Sequence, residues 1–121
     1  MNNIESDYVD CLFWSTNDNS NEQGGEPLER NYSVDNLSIE AKLKIEADCI
    51  LFADKAGDLI LESDPHPGHD FWLTRNGHGA GFWDGDYKPK ERGDKLTEIA
   101  KGFGSSTPYI GDDGKIYLFN G

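Results

Sequence analysis

Basic residues are what this 121-residue chain has least of: 11 Lys and Arg stand against 23 Asp and Glu, a formal net charge of −12. The first 29 residues contain no Lys or Arg at all. A surface of that sign repels duplex DNA and anionic lipid, which argues against direct binding of nucleic acid or membrane. Cysteine is scarce too, with only Cys11 and Cys49, each set among apolar residues. Two thiols at that spacing match no zinc pattern, and a small cytosolic domain keeps them buried and reduced. No apolar run approaches the roughly 18 residues needed to span a bilayer. The first residues, Met1 to Asp7, have neither the basic stretch nor the apolar core of a secretory signal. Signatures of phosphate loops, zinc peptidases and serine hydrolases are likewise missing. These absences point to a cytoplasmic protein without a cofactor.

Apolar residues at 36% and aromatics at 12% suffice for a folded core, and the length fits one domain over 1–121. Charge divides that domain. Residues 1–64 hold 15 acids and 4 bases, whereas residues 65–121 hold 8 acids and 7 bases. The first half is therefore strongly acidic and the second nearly neutral.

Ile4, Tyr8, Cys11 and Leu12 recur at helical spacing, which predicts a short amphipathic helix over 4–14. Residues 15–31 are polar and contain Gly24-Gly25 and Pro27, the composition of a loop. Ser38 is an N-cap candidate for a long helix over about 39–62, with Glu40 in its first turn. One broad arc of that helix collects Ile39, Leu43, Ile45, Cys49, Ile50, Phe52, Ala53, Ala56, Leu59 and Ile60, and Pro65 and Pro67 are expected to stop it. Beyond them the period changes to two. Residues 70–75 and 80–84, joined through Asn76-Gly77, read as a β-hairpin. A short helix over 95–101, capped by Asp94, precedes a second hairpin turning at Asp112-Asp113-Gly114. The expected fold is α+β: helices packed on a four-stranded antiparallel sheet made of two β-hairpins. The acidic helical half covers about 1–64 and the hairpin–helix–hairpin half about 65–121.

The segment from Gly68 to Asp84, GHDFWLTRNGHGAGFWD, resembles a signature of small uncharacterised proteins of tailed bacteriophages and prokaryotes. The stretches 96–104 and 111–117 are similar to further parts of that family, and 25–49 to its N-terminal part, so the likeness covers most of the chain. Asp84-Gly85-Asp86 departs from relatives that place a base after the Asp. The family carries no assigned activity. The resemblance implies a phage setting and the host-cell cytoplasm, and no mechanism.

Three histidines, His66, His69 and His78, lie near Asp70, Asp84 and Asp86. His66 and His69 with a carboxylate have the composition of a two-histidine, one-carboxylate metal site. On the expected hairpin, however, His78 sits at the tip, roughly 15 Å from the other two at about 3.3 Å per residue. Neighbouring strand residues face opposite ways, so His69 and Asp70 would not converge as acid and base, and an Asp84–Arg75 anion clamp lacks any accompanying motif. A small enzyme or metal-dependent domain using His69, Asp70, His78 and Asp84 is the alternative reading. Trp72 and Trp83 on the aromatic hairpin are either core or an interface anchor.

The leading expectation is a non-enzymatic, phage-encoded inhibitor that docks its acidic half on a basic, nucleic-acid-binding host protein, with no metal and no direct contact with nucleic acid. Its candidate contacts are Glu40, Asp48, Asp54, Asp58 and Glu62 on the long helix. Asp7, Asp10, Asp18, Glu22, Glu26 and Glu29 support them. The five helix carboxylates span about 33 Å at 1.5 Å per residue. Duplex DNA carries roughly 19 charges over that length, and Lys44 and Lys55 dilute the helix further. Mimicry of DNA is therefore partial and needs residues 1–29 packed alongside.

Overall fold

In the computed structural model, which describes residues 3–18, 26–30, 32–61, 64, 66–77, 81–82 and 87–120, the expected first helix forms as α1 (Asn3–Ser15). It buries Tyr8, Val9, Cys11, Leu12 and Phe13 and leaves Asp10 and Trp14 exposed. A two-residue antiparallel clasp then pairs β1 (Asn17–Asp18) with β2 (Glu26–Pro27). A 3₁₀ turn, Leu28–Arg30, then drives Leu28 into the core.

Helix α2 (Ile39–Ala56) starts where expected, with the Ala41 amide donating to Ser38 Oγ at 3.0 Å. It ends six residues before 62. Gly57 takes a positive φ of 49°, a conformation that side chains resist, and donates its amide to the Ala53 carbonyl. Residues 57–59 continue only as a 3₁₀ turn. The residues that α2 buries are Ala41, Ile45, Cys49, Phe52 and Ala56, a narrow stripe within the broad apolar arc.

The expected first hairpin does not form. Residues 70–75 belong to helix α3 (Pro67–Arg75), and Gly81 and Phe82 lie in an irregular turn. The helix has its own local signals: Pro67 in the first turn, Asp70 near the N-terminus, Arg75 in the last turn and Gly77 with φ 71° just beyond. It masquerades as a strand because its buried residues, Gly68 and Phe71 to Arg75, surround most of its circumference, which erases the amphipathic period. The four-stranded sheet of two hairpins is therefore corrected. Among the described residues there is one five-residue hairpin, β3 (Ser106–Ile110) with β4 (Ile116–Asn120), besides the β1–β2 clasp. The fold remains α+β.

Helix α4 (Lys90–Lys101) begins a turn earlier than expected, with Pro89 rather than Asp94 at its N-cap. The β3–β4 hairpin turns through Gly111 to Gly114, close to its expected place, and Leu37 joins the free side of β4 in an isolated bridge to Ile116.

A single hydrophobic core runs from Tyr8 to Ile116. Phe52 of α2 stacks on Phe71 of α3 at 4.2 Å between ring centroids, while Tyr8 and Trp72 meet edge to face at 5.1 Å. Helices α1 and α3 pack closest. A Cβ at Gly68 would run into the Ile4 carbonyl oxygen and the Asp7 Cβ, so only glycine permits this approach. Among the described residues no helix is long and apolar enough to cross a membrane.

Candidate functional site

Helix α2 turns two apolar stripes in different directions. One enters the core. The other, Ile39, Leu43 and Ile50, faces outward with 75%, 61% and 53% of each residue accessible. At about 100° per residue the apolar residues of α2, with the exposed Ala47 and Leu51 among them, spread over about 280° of the helix, more than the packed neighbours cover. The outward stripe also holds Glu40, Glu46, Ala47 and Asp54, all exposed. Lys44 and Lys55 fall roughly 100° from its centre, beside the buried face, and Lys42 lies on the other flank. The middle of the stripe thus alternates aliphatic groups with carboxylates and contains no base. On the expected helix these aliphatic residues shared one broad arc with the buried ones, and Glu46 was not among the candidate contacts. The signal that separates the stripes is Ala41 and Ala56, small residues whose spacing follows the packed side.

The other proposed contacts scatter. Asp58 is exposed on the 3₁₀ turn after α2, and Glu29 is exposed beside β2. Asp18 and Glu26 are cross-strand partners in the β1–β2 clasp. Glu22, Glu62 and Trp83 lie outside the described residues, as do His78, Asp84 and Asp86. Trp72 is 1% accessible, and its Nε1 donates to Ser15 Oγ at 2.9 Å, so it is a core residue rather than a contact.

Asp48 faces inward. Its Oδ2 accepts from Arg75 Nη1 at 2.8 Å, and the Arg75 side chain is 1% accessible. The same guanidinium donates to the Tyr8 hydroxyl at 3.0 Å and to the carbonyls of Gly104 and Phe103 at 2.9 and 3.2 Å. The Phe71 and Phe103 rings flank it at 5.6 Å. With its donors committed inside the fold, Arg75 joins α1, α2, α3 and the end of α4 instead of clamping an anion. Burial pushes the Tyr8 hydroxyl well above its ordinary range, so it stays protonated beside this charge. A second clamp closes the segment after α2: Arg92 grips Asp64 through two nitrogens at 2.7 and 3.1 Å and donates to the Leu59 carbonyl at 2.8 Å.

Where α1 meets the N-terminal end of α3, carboxylates and imidazoles converge. Ligand atoms of Asp7, Asp10 and His69 all lie within 4.8 Å of one another. His66 Nδ1 stands 3.5 Å from Asp7 Oδ2, and the His66 and His69 rings are 5.1 Å apart. Asp7 and Asp10 are three residues apart on one helix, as are His66 and His69 across the start of the other, which puts each pair on one face. The expected 15 Å separation concerned His78, which lies outside the described residues, whereas His66 and His69 meet at the start of α3. Desolvation lowers the His69 pKa. Asp70 turns away from this cluster to accept from the Tyr87 hydroxyl at 2.6 Å. His69 and Asp70 thus serve different neighbours and form no acid–base pair.

Both cysteines are free and buried. Burial pushes Cys11 up to about 12 and Cys49 higher, which keeps both thiols protonated and poor nucleophiles at neutral pH. Comparison with known proteins found no matching family model, no similar curated protein and no similar solved structure.

Proposed function

We propose that this is a non-enzymatic binding protein that docks the outer face of α2 into an apolar groove edged by lysine and arginine on a nucleic-acid-binding host protein, and so inhibits it. The observation that carries this reading is the exposed stripe of Ile39, Leu43 and Ile50 interleaved with Glu40, Glu46 and Asp54. Aliphatic residues at i, i+4 and i+11 are the anchors of helix-in-groove recognition, and clustered exposed apolar residues mark interaction surfaces. The carboxylates between them favour a basic rim and speed encounter with it. From Ile39 to Asp54 the stripe is about 22 Å long at 1.5 Å per residue.

Charge spacing defines the partner's chemistry. Glu40, Glu46 and Asp54 are separated along the axis by about 9 and 12 Å, whereas phosphates follow one DNA strand every 3.4 Å or so. The aliphatic groups between them suit a protein groove, so mimicry of DNA extends at most to the sign of the charge. The setting proposed with it is the host cytoplasm, in keeping with the expected likeness of residues 68–84 to phage proteins.

The test is parallel capture from host lysate by the wild-type chain, by Leu43→Ser/Ile50→Ser and by Glu46→Lys/Asp54→Lys, each at low and high salt. All four substitutions are at exposed positions, so folding is retained. The expected result is a basic partner held by wild type at low salt, lost by both variants, and displaced from its nucleic acid by the purified protein. A partner retained equally by both variants, or one whose nucleic-acid binding is untouched, would overturn the reading.

A further inference from the structure

We propose that Asp7, Asp10 and His69 form a binding site for a divalent transition-metal ion of the zinc class, with His66 as an additional ligand. This inference stands apart from the α2 surface, because it uses the opposite partners of the fold: the outer edge of α1 and the start of α3.

The donor set is mixed, two carboxylates and two imidazoles. Hard cations such as magnesium and calcium prefer oxygen alone, whereas zinc accepts imidazole nitrogen and carboxylate oxygen together. The distances suit a small ion. Ligand atoms bound to zinc at about 2.0–2.2 Å lie about 3.4 Å apart in a tetrahedron. Ligand atoms of Asp7, Asp10 and His69, all within 4.8 Å of one another, close on this spacing through side-chain rotation, and His66 Nδ1, 3.5 Å from Asp7 Oδ2, adjoins them as the further donor. The backbones are held in register by the contact of Gly68 with Ile4 and Asp7, so the ligands approach on a rigid frame. Among the described residues no lysine or arginine forms an ion pair with Asp7 or Asp10, which leaves two neighbouring carboxylates without a strong counter-charge. A bound dication supplies it and pins α1 to α3.

The experiment titrates the metal-free 121-residue chain with zinc and, separately, with magnesium by calorimetry, and follows thermal unfolding at each zinc concentration. One zinc per chain is expected, with a melting temperature that climbs with zinc and does not respond to magnesium. Asp10→Asn and His69→Gln should each weaken zinc binding by about tenfold or more. Asp10 is exposed, so its variant should melt like wild type without metal, which separates loss of a ligand from loss of fold. The Glu46→Lys/Asp54→Lys variant should bind zinc as wild type does, which keeps this outcome independent of the docking test. No zinc binding at millimolar concentration, equal affinity in wild type and Asp10→Asn, or magnesium bound as tightly as zinc would each overturn the proposal.

Discussion

Replacing Asp48 by Ala tests the link between the acidic half and the core most directly. A carboxylate on a charged helix would ordinarily be dispensable, but this one faces a guanidinium whose side chain is 1% accessible, and is itself only 22% accessible. Breaking a buried ion pair by removing one partner typically costs about 3–5 kcal/mol, because the remaining charge is stranded. Here the cost is smaller. Arg75 retains the Tyr8 hydroxyl and two carbonyls as acceptors, and Asp48 sees some water, which together bring the expected loss to roughly 2–3 kcal/mol. A chain of 121 residues has a total stability of about 6–18 kcal/mol. With a urea slope of about 1–3 kcal/mol/M, the unfolding midpoint should fall by roughly 0.7–3 M with the slope unchanged. Tryptophan fluorescence in urea provides the readout, and Asp54→Ala, at an exposed site on the same helix, is the control, expected to shift stability by no more than about 0.5 kcal/mol. Because Arg75 Nη1 donates to both Asp48 and Tyr8, Asp48→Ala and Tyr8→Phe should be non-additive. An Asp48→Ala midpoint equal to that of Asp54→Ala would refute the assignment of Asp48 to the core.

Three further outcomes follow from the packing. Gly68→Ala should destabilise the chain by about 1–3 kcal/mol, because the added methyl meets the α1 backbone rather than a movable side chain, and chemical denaturation measures it. Trp72→Phe, which deletes the indole donor to Ser15 Oγ as well as ring volume, should cost about 1–2 kcal/mol, with Ser15→Ala recovering little further loss when combined with it. For the thiols the sign is set by burial. The Cys11 pKa rises from 9.0 to about 12 in the folded chain, so this group leaves stability intact below about pH 9 and erodes it progressively between there and pH 12. A thiol-specific reagent near pH 8 should therefore label the native protein slowly and the denatured protein fast. Rapid labelling of native Cys11 would contradict its burial.

Composition and local pattern were enough to locate the acidic half, the buried cysteines, α1, the Ser38 cap of α2 and the final hairpin. Each depends on neighbours within a turn or two, where spacing and capping chemistry act directly. Residues 67–75 carried helix signals as well, in Pro67, Asp70 and Arg75, but Asn76-Gly77 serves a helix end as readily as a hairpin turn. A helix enclosed on nearly every side offers no polar face to decide between them. Of the candidate sites, Glu40 and Asp54 were legible as exposed carboxylates. That Ile39, Leu43 and Ile50 accompany them was not, because an apolar residue has the same identity whether or not a neighbour covers it. Tertiary packing alone turned Asp48 inward to Arg75, put Trp72 in the core, and brought Asp7 and Asp10 to His69 across some sixty residues of chain. Charge and period are properties of the chain. Which side of a helix meets water, and which distant side chains share one small volume, depends on how the helices pack.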